Sequence, residues 1–123
     1  MRSAVISFYL IVALSACSTY PTAREAAVYD TATTLYAVEH LGGRELNPLG
    51  VYGTILSKIL ILHYYKDRPQ EEQDTFNRQA GAFWTAASVN NLVQVLVGPS
   101  IFISVSIGAI VGYHIYTNYP TKP

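Results

Sequence analysis

The sequence predicts an all-α fold, a small bundle of three or four membrane helices that follows a cleaved signal peptide. Half of the 123 residues are hydrophobic and only 13% are charged, against about 25% in soluble domains. No Asp, Glu, Lys or Arg occurs between Arg78 and Lys122, and a soluble domain rarely tolerates so long an uncharged interval. Short segments that contain Gly or Pro separate the long apolar stretches. The net charge is zero without a basic patch, which leaves no electrostatic basis for binding nucleic acid.

Residues 1–16 have the parts of an export signal. Arg2 supplies a positive charge, residues 4–14 form an apolar run too short to span a bilayer, and small residues come next. The ending Leu14-Ser15-Ala16-Cys17 resembles the lipobox of bacterial lipoproteins. That resemblance implies cleavage before Cys17, a diacylglycerol on its thiol and an acyl chain on its new amine. We expect no other cofactor. Since Cys17 is the only cysteine, no intramolecular disulfide can form.

Breaks between the apolar stretches divide residues 17–123, a single helical membrane domain, into four predicted helices. Gly42-Gly43 supplies the left-handed conformation that ends a first helix, and Asn47-Pro48 caps and begins a second. Residues 66–78 are dense in charge and contain a proline, so we expect a water-exposed loop there and a third helix from about residue 74 or 75. Gly98-Pro99-Ser100 predicts a tight turn. The predicted helices cover about residues 24–41, 48–65, 75–97 and 101–117.

Location and orientation follow from the expected lipid on Cys17. An acylated N-terminus lies on the outer, periplasmic face of a bacterial cell membrane, and the predicted membrane helices favour the inner over the outer membrane. The positive-inside rule favours the opposite side for the basic residues of segment 66–78. Four acidic residues accompany those bases, so we give the lipid more weight. Membrane lipid is the expected partner, with a homo-oligomer or an envelope protein as further partners.

Asp30 and Lys58 are lone charges within two mostly apolar predicted helices. The short connection between the helices favours an antiparallel arrangement, in which the two residues lie at similar depth. An isolated charge at the centre of a membrane costs about 2.5 to 3.5 kcal/mol on insertion scales, so we expect the two to pair. A structural ion pair is the favoured interpretation. The alternatives are a proton or ion relay and a site that grips a partner.

Segments around this pair resemble a family of small bacterial integral membrane proteins of unknown function. The resemblance covers residues 27–66 and rests on the run from Asp30 to Thr34, the run from Gly42 to Pro48, and Lys58. It implies a compact bundle of three or four membrane helices and no particular reaction. A lipobox before the first helix departs from the pattern expected of that family.

Residues at two predicted helix starts have side chains suited to capping. Thr22 and Glu25 have the spacing of a capping box at the first helix. Glu45 and Asn47 form a polar cluster at the start of the second, where a carboxylate and an amide stabilise free backbone N–H groups. A ligand site is the less favoured alternative for this second cluster.

Small residues recur at every fourth position of the last predicted helix, at Ser104, Gly108 and Gly112. This spacing lets two helix backbones approach closely in lipid. Packing within the chain is favoured over a seam between copies of a homo-oligomer. Asn90 and Asn91 are expected to hydrogen-bond between helices.

No motif predicts an enzyme or a metal site. His40, His63 and His114 lack metal-ligand spacing, and no nucleophile elbow or phosphate loop is present. Trp84 and the tyrosines near helix ends are typical of an interfacial aromatic belt.

The sequence therefore favours a lipid-anchored small membrane protein with a structural or interaction role. Two alternatives remain: an exclusion lipoprotein of phage or plasmid origin, and a minimal transporter or ion-conducting subunit that uses Asp30 and Lys58.

Overall fold

The structure, a computed structural model, describes residues 20–41, 50–98 and 101–120. The fold in these ranges is all-α, as predicted, and contains no strand. No helix there is both long and apolar enough to cross a bilayer, although we had expected membrane helices. The four helices are α1 (Ala23–Leu41), α2 (Gly50–Tyr65), α3 (Gln70–Val97) and α4 (Ile101–Asn118).

Helix α3 is the centre of the bundle and packs along both α1 and α4, whereas α2 touches α1 and α3 at few places. Successive helices run in opposite directions. Gln94 and Ser104 meet at one end of the α3–α4 pair, and Arg78 and Tyr116 meet at the other. As a consequence α1 and α3 are parallel to each other.

The third helix begins at Gln70, and the predicted start near residue 74 or 75 was wrong. The charges of residues 66–78 do not exclude a helix, because charged side chains on an exposed helical turn are well solvated. Pro69 precedes the first turn, where its missing N–H has no consequence, and Glu71 and Glu72 complement the helix dipole. The side chain of Gln73 donates to the carbonyl oxygens of Lys66 and Arg68, so the helix also closes the short connection from α2.

The start of α1 is held locally and from α3. The predicted capping box is confirmed: Thr22 N donates to Glu25 Oε2 at 3.1 Å, and Glu25 N donates to Thr22 Oγ1 at 3.3 Å. Asn77 of α3 accepts from Ala23 N at 3.0 Å. Gly81 permits this approach, because a Cβ atom there would lie 2.7 Å from the carbonyl oxygen of Pro21.

Polarity is inverted relative to a soluble bundle. The buried apolar residues are mostly alanines, joined by Trp84 and Ile115, and the buried set also includes charged and hydroxylated side chains. Many large apolar side chains point outward instead, led by Tyr52 at 85% exposure and Phe102 at 84%. The exposed apolar residues of α2 and α4 form what we call the apolar exterior. They include Tyr52, Leu56, Ile59, Leu60, Phe102, Ile103, Val105, Ile107 and Ile110.

Candidate functional site

The structure brings together Asp30 and Lys58, the two lone charges of the predicted pair. Lys58 Nζ lies 2.7 Å from Asp30 Oδ2, and both side chains are at most 10% exposed. The same ammonium group donates to Thr31 Oγ1 at 3.2 Å. Its position 6.0 Å from the centroid of the Trp84 ring adds a cation–π contact. The Lys58 ammonium group, although removed from water, therefore interacts with a carboxylate, a hydroxyl group and an aromatic ring.

Helix α3 contributes the third side of the site through Asn91. Its amide nitrogen lies 3.3 Å from Asp30 Oδ1, 3.1 Å from Thr33 Oγ1 and 3.0 Å from Thr34 Oγ1. The two amide protons are thus shared among three acceptors. Asn91 belongs to the pair of asparagines expected to bond between helices. The resulting polar cluster joins three helices and consists of Asp30, Thr31, Thr33, Thr34, Lys58 and Asn91.

Local helical geometry explains why these residues converge. Asp30, Thr33 and Thr34 are three and four positions apart, so they share one face of α1. The hydroxyl of Thr33 also donates to the carbonyl oxygens of Tyr29 and Asp30, at 2.9 and 3.1 Å, which leaves its lone pairs available to Asn91. The face of α1 that meets α3 is thus fully hydrogen-bonded at this depth.

Trp84 is a core residue, and its predicted place in an interfacial belt was wrong. It is 8% exposed and packs with the alanines of α1 at the bundle centre. Phe76 meets it edge to face, with ring centroids 6.2 Å apart, and stacks on Tyr65 at 4.1 Å. The sequence did contain the signal: Trp84 lies four residues before Ser88 and seven before Asn91, so all three share the inward face of α3.

Ser104, Gly108 and Gly112 pack against α3 of the same chain. Ser104 is fully buried, and a Cβ atom on Gly108 would lie 2.6 Å from the carbonyl oxygen of Ala86. One on Gly112 would lie 2.8 Å from Ala86 Cβ. The contact between α4 and α3 is therefore packing within the chain, which was the favoured alternative.

One end of the bundle gathers cations, carboxylates and tyrosines. We call it the charged end, formed by residues 20–25, 64–78 and 113–119. Arg78 Nε donates to the carbonyl oxygen of Tyr116 at 2.7 Å and covers its ring, while Arg68 donates to the hydroxyl of Tyr64 and covers that ring.

Tyr119 at the charged end meets the ring of Tyr20 edge to face at 6.0 Å. Burial raises the pKa of the Tyr119 hydroxyl, and the carboxylates of Asp74 and Glu25 raise it further because they oppose a phenolate. The charged end therefore favours the neutral form of this tyrosine.

Other predicted site residues take no part in the polar cluster or cannot be placed. Cys17, Glu45 and Asn47 lie outside the described residues, as do both helix-breaking segments around residues 42–48 and most of the turn after Gly98. His63 and His114 are exposed on different helices. Within the described ranges, no group of three His, Cys, Asp or Glu residues could hold a metal ion.

Comparison with known proteins returns no match. No family model, no curated protein and no solved structure is significantly similar to this chain. The resemblances to lipoproteins and to the family of small membrane proteins therefore stay predictions.

The geometry of the polar cluster suits a structural role, in which it holds helices together, better than the transfer of a proton or an ion. Both carboxylate oxygens of Asp30 are bonded, and Lys58 Nζ is enclosed by a carboxylate, a hydroxyl and an indole ring. These bonds join α1, α2 and α3, and removal of one member of a buried pair is costly. A transported ion would first have to displace these internal partners.

Proposed function

We propose that this chain is a lipid-anchored small membrane protein of the bacterial envelope with a structural or interaction role. The inverted polarity of the bundle is the observation that supports it. Its interior holds an ion pair and small side chains, while its exterior carries large apolar ones. In this proposal the N-terminus lies on the periplasmic face of the inner membrane, attached through Cys17.

The apolar exterior supports contact with acyl chains. Ile110 is 69% exposed, and the three neighbours Leu56, Ile59 and Leu60 are each between 57% and 59% exposed. Removing such a side chain from water contributes about 1.5 to 3 kcal/mol when it is fully buried. Exposed apolar side chains in such number promote aggregation in water, whereas lipid solvates them.

The charged end supports a defined depth in the membrane. Tyrosine and arginine side chains with apolar stems and polar tips prefer the interface between acyl chains and water. Arg68 with Tyr64 and Arg78 with Tyr116 place cations on aromatic rings at this level. The α1 start lies at the same end, a few residues after Cys17, so the lipid and the headgroup-facing side chains would share one surface.

The inner membrane and the lipid anchor are tested together by fractionation and mass spectrometry. We expect the mature chain, residues 17–123, in the inner-membrane fraction, with three acyl chains on Cys17. A Cys17→Ser variant should keep the signal uncleaved, and Ser15→Ala serves as the matched control because it leaves the cysteine intact. An intact Met1 with an unmodified thiol in wild type would contradict the anchor, and recovery of that form from the soluble fraction would contradict the membrane location.

The interaction role is tested by crosslinking in intact cells. A photoreactive residue at Phe102 or Tyr52 on the apolar exterior should crosslink to lipid or to an envelope protein. A photoreactive residue at Thr75, on the charged end, serves as the comparison. Phage or conjugation challenge of a deletion strain tests the exclusion alternative, since loss of protection on deletion would favour it.

A further inference from the structure

We propose that a cavity at the charged end binds the phosphate of an anionic phospholipid headgroup. The cavity, of about 200 Å³, opens to the surface where α1 begins, α2 ends and the first turns of α3 pass. Its volume lies below the roughly 300 to 1,000 Å³ of pockets for drug-sized ligands, and it matches a small group such as a phosphodiester. This inference rests on the proposed membrane function for the source of its ligand.

Two cations line the cavity, Arg24 in the first turn of α1 and Lys66 just after the end of α2. No carboxylate is among its lining residues in the described part of the chain. Lys66 Nζ lies 3.9 Å from Asp67 Oδ2 with both side chains exposed, which is a weak pair that an anion can replace. Guanidinium and ammonium groups donate strong, charge-assisted hydrogen bonds to phosphate oxygens.

Two other carboxylates of the charged end, outside the cavity lining, accept hydrogen bonds from neighbouring residues of the chain. Glu25 Oε2 accepts from the backbone N–H of Thr22, and Asp74 Oδ1 accepts from Gln70. Asn77, which also lines the cavity, uses its Oδ1 atom to accept from Ala23 N. This bond fixes the oxygen atom of the Asn77 amide group. The nitrogen atom of the same group is a hydrogen-bond donor.

Gln73 also lines the cavity, with its amide nitrogen donating to the carbonyl oxygens of Lys66 and Arg68, and the rest of the wall is apolar and favours a lipid over free phosphate. Leu62 and the stacked rings of Tyr65 and Phe76 stand beside the two cations. Leu62 and Phe76 also pack on the alanine core, so this wall is held in place. A cationic and an apolar lining side by side match an amphiphile, with the phosphate on Arg24 and Lys66 and the glycerol backbone against the rings.

The test is a binding titration of the purified, full-length chain in a neutral detergent. The probes are dihexanoyl phosphatidylglycerol, dihexanoyl phosphatidylcholine and inorganic phosphate. We expect saturable binding of phosphatidylglycerol that weakens on the order of tenfold in the Arg24→Gln, Lys66→Gln double variant, because two charge-assisted contacts are lost. Arg68→Gln is the matched control: it removes one cation from the charged end outside the cavity and should change affinity less than about twofold.

Each result decides the proposal. Equal phosphatidylglycerol affinity in wild type and double variant, with unchanged helical content and melting temperature, overturns it. Equal affinity for phosphatidylcholine overturns its preference for an anion. Inorganic phosphate that binds as tightly as the lipid and is lost in the double variant supports the phosphate site but assigns it to a soluble ligand. A chain that fractionates as soluble yet still shows this loss would contradict the proposed function alone.

Discussion

The two long contacts of α3 use opposite chemistry. Toward α1 and α2 it presents Asn91 and Trp84 to a buried ion pair, while toward α4 it presents a backbone carbonyl to glycines. The first contact depends on a complete set of partners, so the loss of one member leaves a buried charge or dipole unpaired. The second contact depends on glycines that lack a Cβ atom, so any larger side chain at these positions forces the helices apart. Their tolerance to substitution should therefore differ in kind.

The largest effect is expected at the ion pair. Lys58→Met leaves the Asp30 carboxylate buried without its cation, which should lower the free energy of unfolding by about 3 to 5 kcal/mol. Thermal and denaturant unfolding in detergent, followed by circular dichroism, measures this. The double variant Asp30→Asn, Lys58→Met should recover most of the loss, because it removes both charges. A double variant as unstable as the single one would contradict the view of the pair as a structural element.

The next effect is expected at the small-residue seam. Gly108→Val places a Cβ atom in the space occupied by the carbonyl oxygen of Ala86, so it should destabilise the bundle by about 1 to 3 kcal/mol. Ala109→Val is the matched control, since Ala109 is exposed on the same helix. If both variants unfold at the same denaturant concentration, the α3–α4 seam is not sterically limited.

A smaller effect is expected at the start of α1. Thr22→Ala removes the hydroxyl that caps Glu25 N and should cost about 1 kcal/mol. Thr75→Ala, on an exposed turn of α3, should stay within about 0.5 kcal/mol of wild type. The same unfolding assay compares them, and equal losses would mean that the capping box contributes nothing specific.

The smallest effect concerns alkaline pH. Because the pKa of Tyr119 is raised in the fold, the folded chain holds its proton at pH values where the unfolded chain has lost it. Its contribution is complete below the unfolded pKa near 10 and is lost as the pH rises through the folded pKa. Tyr119→Phe should therefore flatten the decline in melting temperature above about pH 10, with little change at neutral pH. An unchanged decline would contradict the assignment to Tyr119.

The sequence predicted the parts of the fold that depend on local rules. Four helices and the capping box at Thr22 follow from short-range patterns, and the alignment of Asp30 with Lys58 follows from counting outward from a short connection. Helix α3 begins earlier than the charge density of residues 66–78 predicts, because an exposed first turn tolerates charge.

Long-range contacts that no local pattern or short connection indicates could not be predicted. Asn77 caps a helix that begins 54 residues earlier, and the approach of Pro21 to Gly81 leaves no local pattern. The burial of Trp84 is different, because its helical spacing to Ser88 and Asn91 does indicate an inward face, although a lone aromatic residue near polar ones is also typical of a membrane interface. The cavity between Arg24 and Lys66 arises only when two helix ends meet.

The residues of the polar cluster are synthesised at different times, because they lie far apart in the sequence. Asp30 is made 28 residues before Lys58 and 61 residues before Asn91. At roughly 5 to 20 residues per second, its carboxylate waits a few seconds for its cation and longer for its amide. Helix α1 cannot bury this face until α2 has emerged. The polar face of α1 is therefore completed by residues of α2 and α3 that are synthesised later.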